Sequence, residues 1–148
     1  MLNKSRSDIY NYLYNLFYGT VTENVYSMNE PQELERSDIE EGFLVLHVGN
    51  VYDDSEFDCE AYGRARCFVE AFIPPLSRGR VDIEKYRAFE ESIDSVIDLA
   101  RESATNEQQY YIQSDGILSS EAEETSNANN IFFVFVKSFI VLIDKNNN

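Results

Sequence analysis

The sequence feature that most constrains the fold is an apolar run near the carboxyl end, at residues 131–143. Eleven of its thirteen residues are apolar, and β-branched and aromatic types dominate, which favours a buried strand over a helix. A membrane-spanning helix needs about 20 such residues, and this run is shorter and contains Lys137. Both alternating faces of the strand are apolar, so both need a cover. We expect helices to cover one face and another layer or another chain to cover the second.

The length and charge of the chain limit the class of protein. Its 148 residues are enough for one domain, 1–148, with a hydrophobic core of its own. The 27 acidic residues outnumber the 12 basic ones, which gives a net charge of −15. Such a surface repels phosphate, so we expect no sequence-specific nucleic-acid partner. The first residues contain no apolar secretory signal, so we expect the chain to stay in the cytoplasm in which it is made.

Hydrophobic spacing predicts an α+β fold, in which two helices pack on an antiparallel sheet of about four strands. Apolar residues recur at helical spacing in both predicted helices, with Ser7 and Asp82 as the expected N-caps. Alternating patterns and β-branched residues mark the strands. The predicted helices cover residues 7–18 and 82–102, and the predicted strands cover 42–52, 58–73, 109–114 and 131–143.

The predicted strand at 58–73 has two unlike faces. One face carries small residues, so a helix can approach it closely. The other carries large amphipathic and charged side chains, as interfaces commonly do. We predict that this second face is a docking surface, with four candidate assembly contacts: Tyr62, Arg64, Arg66 and Phe68.

Two other groups of side chains are candidate contacts with a partner. The helix at 7–18 offers Tyr10 and Tyr14, because tyrosine is common in interfaces, although tyrosines at the rim of the core fit the same pattern. Arg78 and Arg80 follow the strand at 58–73 and would extend its two arginines into a basic edge. Such an edge on an acidic body suits head-to-tail contact between subunits, and scattered solubilising charges are the alternative.

The polar segment 117–130 is predicted to be a weakly structured, flexible acidic arm. A connection of this length between strands is unusual in a compact domain, and it more often has a function than not. The last residues, 146–148, are expected to fray. The candidate assembly contacts on the arm are Glu121, Glu123 and Glu124.

The acidic run 53–58 has the composition of a calcium site but not its spacing. A calcium loop of the EF-hand type needs glycine at its sixth position and an acidic residue at its twelfth. Counted from Asp53, Asp58 and Arg64 occupy those positions. A solvated hairpin tip is therefore the expected structure, and ion binding is the alternative.

Residues for other chemistry are also missing from the sequence. Cys59 and Cys67 would lie roughly 26 Å apart on one strand, too far for a disulfide, so we expect reduced thiols. His47 alone does not make a zinc site, and no Gly-x-Ser-x-Gly or phosphate-loop motif is present. We therefore expect no metal, no cofactor and no enzymatic activity, with a small enzyme built on His47 and scattered acids as an alternative.

The order helix, two long strands, helix and two strands, together with the stretch 61–74 before the long helix, resembles the small neck and tail-completion proteins of tailed bacteriophages. That family includes the tail-terminator group. The resemblance implies a non-enzymatic virion subunit that assembles with itself into a ring of 6 or 12 copies. Such a ring joins portal and tail proteins around the DNA channel, after assembly in the host cytoplasm. It implies no membrane partner.

A second hypothesis is an intracellular acidic adaptor or inhibitor that binds a basic partner. The net charge of −15 fits this class as well as it fits a DNA conduit that repels its contents. The two differ in native mass, because a ring former gives six-fold or twelve-fold species, whereas an adaptor stays monomeric or dimeric.

Overall fold

Three α-helices and seven strands make up the part of the protein that a computed structural model describes, which is residues 5–53, 62–103, 110–113 and 117–144. The fold is α+β, as predicted. A 3-10 turn, Ser77–Gly79, follows the third strand. In chain order the elements are α1 (Ser5–Phe17), β1 (Val25–Ser27), α2 (Arg36–Glu41), β2 (Phe43–Asp53), β3 (Tyr62–Ile73), α3 (Ile83–Glu102), β4 (Tyr110–Ile112), β5 (Leu118–Ser119), β6 (Glu123–Asn127) and β7 (Asn130–Asp144).

The described strands all join one sheet, and the prediction of about four antiparallel strands is wrong in number and in direction. The order is β1-β2-β3-β7-β4, and β5 and β6 also pair with β7. β1 runs parallel to β2, while the other pairs are antiparallel. The strands that the prediction did not count, β1, β5 and β6, are two to five residues long. Elements this short carry no hydrophobic periodicity that could mark them.

The segment 117–130, predicted to be weakly structured, instead forms β5 and β6 along one edge of β7. β6 and β7 are joined by a tight turn in which Ala128 and Asn129 have φ of 48° and 66°. Positive φ at both central residues is the geometry that matches the twist of a two-residue hairpin. The backbone N–H of Val136 also donates to Ser120 Oγ at 2.9 Å. Backbone pairing with β7, not apolar burial, gives this polar segment its structure.

The two long helices pack on the same side of the sheet through single apolar stripes. Asp82 caps α3 as predicted, because its Oδ1 accepts from the backbone N–H of Lys85 at 3.1 Å. The prediction of Ser7 as the cap of the first helix is wrong, since Ser7 lies inside α1. The buried side chains of the stripes are Ile9, Leu13 and Phe17 of α1 and Phe89, Ile93 and Ile97 of α3.

The three long strands lie where the sequence predicts them, and their alternation is confirmed. β2 and β7 begin and end within one residue of the predicted bounds, and β3 ends at Ile73 as predicted, while residues 58–61 lie outside the described residues. The small face of β3 lies under the helices, where Cys67 and Val69 are buried beside Phe135 and Phe139 of β7. Cys67 is a free, buried thiol. Cys59, most of the predicted hairpin tip 53–58 and the predicted frayed tail lie outside the described residues.

Lys137 is the one basic residue in the apolar run, and it is buried on the helix side of the sheet. It is 5% exposed. Its Nζ lies 2.7 Å from Asp94 Oδ1 on α3, and the Asp94 side chain is about half exposed. A buried ammonium group is stable only while a carboxylate compensates its charge, so this pair ties α3 to β7.

We expect Asp94→Ala to lower the free energy of unfolding by about 2 kcal/mol, because it leaves the ammonium group of Lys137 uncompensated. The partial exposure of Asp94 keeps the cost below that of a fully buried pair. Adding Lys137→Met removes the charge and should recover most of the loss. Urea unfolding followed by circular dichroism measures both. Equal midpoints for the wild type and Asp94→Ala would contradict the role of the pair.

Candidate assembly surface

The side of the sheet opposite α1 and α3 has little cover from the described residues; we call it the open face. It consists of alternate residues of β2, β3 and β7, which the strand registers align across the sheet. On the helix side, the neighbouring core residues are fully buried. On the open face, Arg66 is exposed and the others are half-buried: His47, Arg64, Phe68, Glu70, Val134, Val136, Ser138, Ile140 and Leu142.

One end of this face is closed by an aromatic cluster. The rings of Phe43 and Phe72 stack with centroids 4.4 Å apart, and Phe132 meets Phe43 edge-on at 5.3 Å. All three are buried, with Tyr26 of β1 and Leu34 packed against them. In the described part of the chain, the second face therefore has its own cover at the end where Tyr26 and Leu34 pack on it.

A buried carboxylate holds this cover in place. Asp38 of α2 is 0% exposed. Its Oδ2 accepts from the Tyr26 hydroxyl at 2.5 Å and from the backbone N–H of Glu35 at 2.9 Å. The pKa of the Tyr26 hydroxyl is raised, and burial is the largest cause, followed by the hydrogen bond to Asp38. The prediction from sequence did not include α2, although an acid at Glu35 followed three residues later by Asp38 fits a capping box.

The centre of the open face is a polar and aromatic group. The imidazole ring of His47 stacks on Phe68 with centroids 4.4 Å apart. His47 Nε2 lies 2.5 Å from Glu70 Oε1. The two side chains are each about one fifth exposed. His47 is thus packed and hydrogen-bonded, and it stands on the open face beside Phe68 and Glu70.

Beyond this centre, towards the start of β3, the face is basic. Arg64 is half-buried and donates from a guanidinium nitrogen to Gln113 Oε1 at 2.8 Å. Arg66 is exposed and lies in register with Ile140. These side chains border an apolar cleft of about 210 Å³ that Ala65 and Asn50 complete. Arg64 and Arg66 are therefore on one surface, as predicted.

On the other side of the centre the face is acidic. A groove of about 400 Å³ is lined by five carboxylates together with Val134 and Val136. Asn127 Nδ2 donates to one of those carboxylates at 2.9 Å, which connects β6 to the segment before α2. The predicted contacts on the acidic arm therefore lie along a groove that the strands shape. The five carboxylates are Glu30, Glu70, Glu121, Glu123 and Glu124.

Tyr10 and Tyr14 of α1 do not share this surface, because they pack against the core on the helix side of the sheet. Tyr10 is 9% exposed and its hydroxyl accepts from the backbone N–H of Val48 at 3.0 Å, so it belongs to the rim of the core, the alternative left open for it. Tyr14 is half-buried and stacks on Tyr18 at 5.2 Å. The side chain of Tyr62 lies outside the described part of the structure.

The four arginines were predicted to form a single basic edge, but in the structure they form two separate basic groups. Arg78 and Arg80 are exposed around the 3-10 turn that follows Ile73, at the closed end of the sheet. Arg66 lies seven residues before Ile73 on β3, which is roughly 23 Å along an extended strand. The direction of β3 therefore keeps the two groups apart.

No protein-family model and no curated protein matches the chain. The likeness to phage neck and tail proteins therefore rests on the element order and on the stretch 61–74 alone. A proposal for the function must therefore be argued from the open face and its charges.

The described residues provide little chemistry for catalysis. In the described ranges, no three or more His, Cys, Asp or Glu side chains lie close enough to hold a metal ion. Burial raises the pKa of the Cys67 thiol to about 12, so at neutral pH it stays protonated and is a poor nucleophile. Of the described helices, none is both long and apolar enough to cross a membrane.

Proposed function

We propose that the protein is a non-enzymatic structural subunit of a tailed-phage neck or tail, which forms a homo-oligomeric ring of six or twelve copies between portal and tail. The observation that carries this proposal is the open face of β7. Val136, Ile140 and Leu142 stay half-buried there, while their helix-side neighbours on the same strand are buried, namely Phe135, Lys137, Phe139, Val141 and Ile143. Half-exposed apolar side chains aligned on one sheet face are typical of a surface that another protein covers.

The element order supports the same proposal. The long strands β2 and β3 stand between the helices α1 and α3, and β7 is the longest described strand. With the short elements β1, α2, β5 and β6 set aside, this is the element order on which the resemblance to neck and tail-completion proteins rests. The net charge of −15 also suits a conduit, because DNA passing through a negatively charged lumen is repelled by its walls.

The native mass of the purified chain tests the proposal. We expect six-fold or twelve-fold species by native mass spectrometry, alone or on the phage portal, and rings by electron microscopy. Ile140→Asp places a charge on the open face and should abolish these species while leaving the circular dichroism spectrum unchanged. Leu99→Asp is the matched control, because Leu99 is 65% exposed on α3. A chain that stays monomeric, with and without portal, would refute the ring.

The acidic groove favours a second candidate, an adaptor or inhibitor that binds a basic partner. Its five carboxylates present a continuous negative surface beside apolar Val134 and Val136. Under this candidate the chain stays monomeric or dimeric. Glu123→Lys and Glu124→Lys would then weaken capture of a basic protein, whereas ring formation does not require such a partner.

A further inference from the structure

The charges at the centre of the open face follow a symmetric pattern. Arg66, Phe68 and Glu70 occupy successive positions on this side of β3. The opposite charges therefore stand at equal distances from Phe68, each about 6.6 Å away along the strand. Reversing the direction of the strand exchanges the positive and negative positions and leaves the aromatic ring in place.

The neighbouring strand β7 repeats this symmetry. Phe68 is in register with Ser138, Arg66 with Ile140, and Glu70 with Val136. A small residue thus stands beside the ring, and a branched apolar residue stands on each side of it. Because Ser138 is small, an aromatic ring from a facing sheet can come close to this sheet above it.

We propose that the open face binds a second copy of this chain about a two-fold axis that crosses β3 at Phe68. The two sheets pack face to face, about 10 Å apart, with their strands antiparallel. Arg66 then faces Glu70 of the second copy, and Glu70 faces Arg66 of the second copy. Ile140 faces Val136 of the second copy in the same way. Each contact occurs twice, as in any isologous interface.

The charge distribution favours a second copy over other partners. A basic protein would be repelled by Arg64 and Arg66 at one end of the face. A nucleic acid would be repelled by Glu70 and the acidic groove at the other end. A partner must present the two signs in reversed order, and a second copy does so when it is turned about the axis.

This inference rests on the proposed function for one premise, that another protein covers the open face. A two-fold pair closes on itself, so a ring of six or twelve copies would join such pairs through a second surface, and Ile140→Asp would break the ring at the open face. The pair is compatible with either six or twelve copies, because both numbers are even. We expect self-association at about micromolar concentration, the weak end of the range for specific interfaces.

A pair of single charge reversals tests the inference on the full chain. Arg66→Glu makes both positions acidic and Glu70→Arg makes both basic, so each variant should self-associate about tenfold or more weakly than the wild type. An equimolar mixture should form heterodimers, since every facing pair is then attractive. Sedimentation velocity over a concentration series measures all three. Arg87→Glu and Glu91→Arg make the same charge changes at exposed positions of α3 and should change nothing.

The outcomes separate this inference from the proposed function. Loss of self-association in each variant and its return in the mixture support the two-fold pair. A mixture that stays monomeric, or variants that associate like the wild type, overturns it. A wild-type chain without dimers overturns it as well. If rings form on the portal in any of these cases, the proposed function stands while the two-fold contact is rejected.

Discussion

Phe135→Asp is expected to lower the free energy of unfolding by about 4 kcal/mol or more, a large part of the roughly 5–15 kcal/mol that stabilises a typical domain. Phe135 is 0% exposed on the helix side of β7. Its ring lies 4.7 Å from that of Tyr86 on α3. The substitution removes a large apolar side chain and buries a carboxylate without a partner, and both effects are unfavourable. Urea unfolding followed by circular dichroism measures the change.

Ile131→Asp is the matched control for this prediction. Ile131 is on the same strand and in the same alternation as Phe135, but it is 48% exposed. The same aspartate should cost less than about 1 kcal/mol there, because water reaches it. If the two variants unfold at the same urea concentration, β7 does not form the core of the sheet.

Gly42→Ala is expected to destabilise the protein by about 3 kcal/mol or more, although it adds one methyl group. Gly42 ends α2 with φ of 93° and ψ of 175°. Residues other than glycine rarely adopt this backbone conformation. A Cβ atom there would stand 2.5 Å from the carbonyl oxygen of Phe72. The backbone would have to move at the closed end of the sheet, where Phe43 and Phe72 stack.

Gly19→Ala separates the cost of the backbone conformation from the cost of the steric clash of a new Cβ atom. Gly19 also has a positive φ, 77°, but a Cβ atom there would meet nothing within 4 Å. We expect a cost of about 1 kcal/mol from the backbone conformation alone. Thermal unfolding of both variants gives the comparison. Equal losses would show that the approach of Gly42 to Phe72 does not constrain the fold.

The long elements were predictable because their apolar patterns are themselves the reason they fold. The stripe of α3 and the alternation of β3 and β7 each assign one face to the core, and a shift of one residue in a strand would expose that face. The presence of apolar residues on both faces of β7 likewise predicted an incomplete cover. Of the predicted contacts, Arg64, Arg66 and Phe68 follow from alternation alone and do share one surface.

Other features depend on contacts between distant parts of the chain. β5 and β6 are strands because the edge of β7 offers hydrogen bonds, and their own residues are polar. α2 depends on Asp38, and the buried carboxylate of Asp38 depends on the hydrogen bond that the Tyr26 hydroxyl donates to it. Hydrophobic patterning carries no signal for either, because these elements are short and their own residues are mostly polar.

By itself, the sequence determined which residues are apolar and at what period, and so the two long helices, the three long strands and the two-sided character of β7. The tertiary structure alone decided which charges meet. The register of β2 on β3 places His47 beside Glu70, 23 residues away. The same sheet separates Arg78 from Arg66 and places Arg66 beside Ile140 of β7. Hydrophobic period is a local property of the chain, whereas charge pairing depends on strand register, which forms only when the whole sheet does.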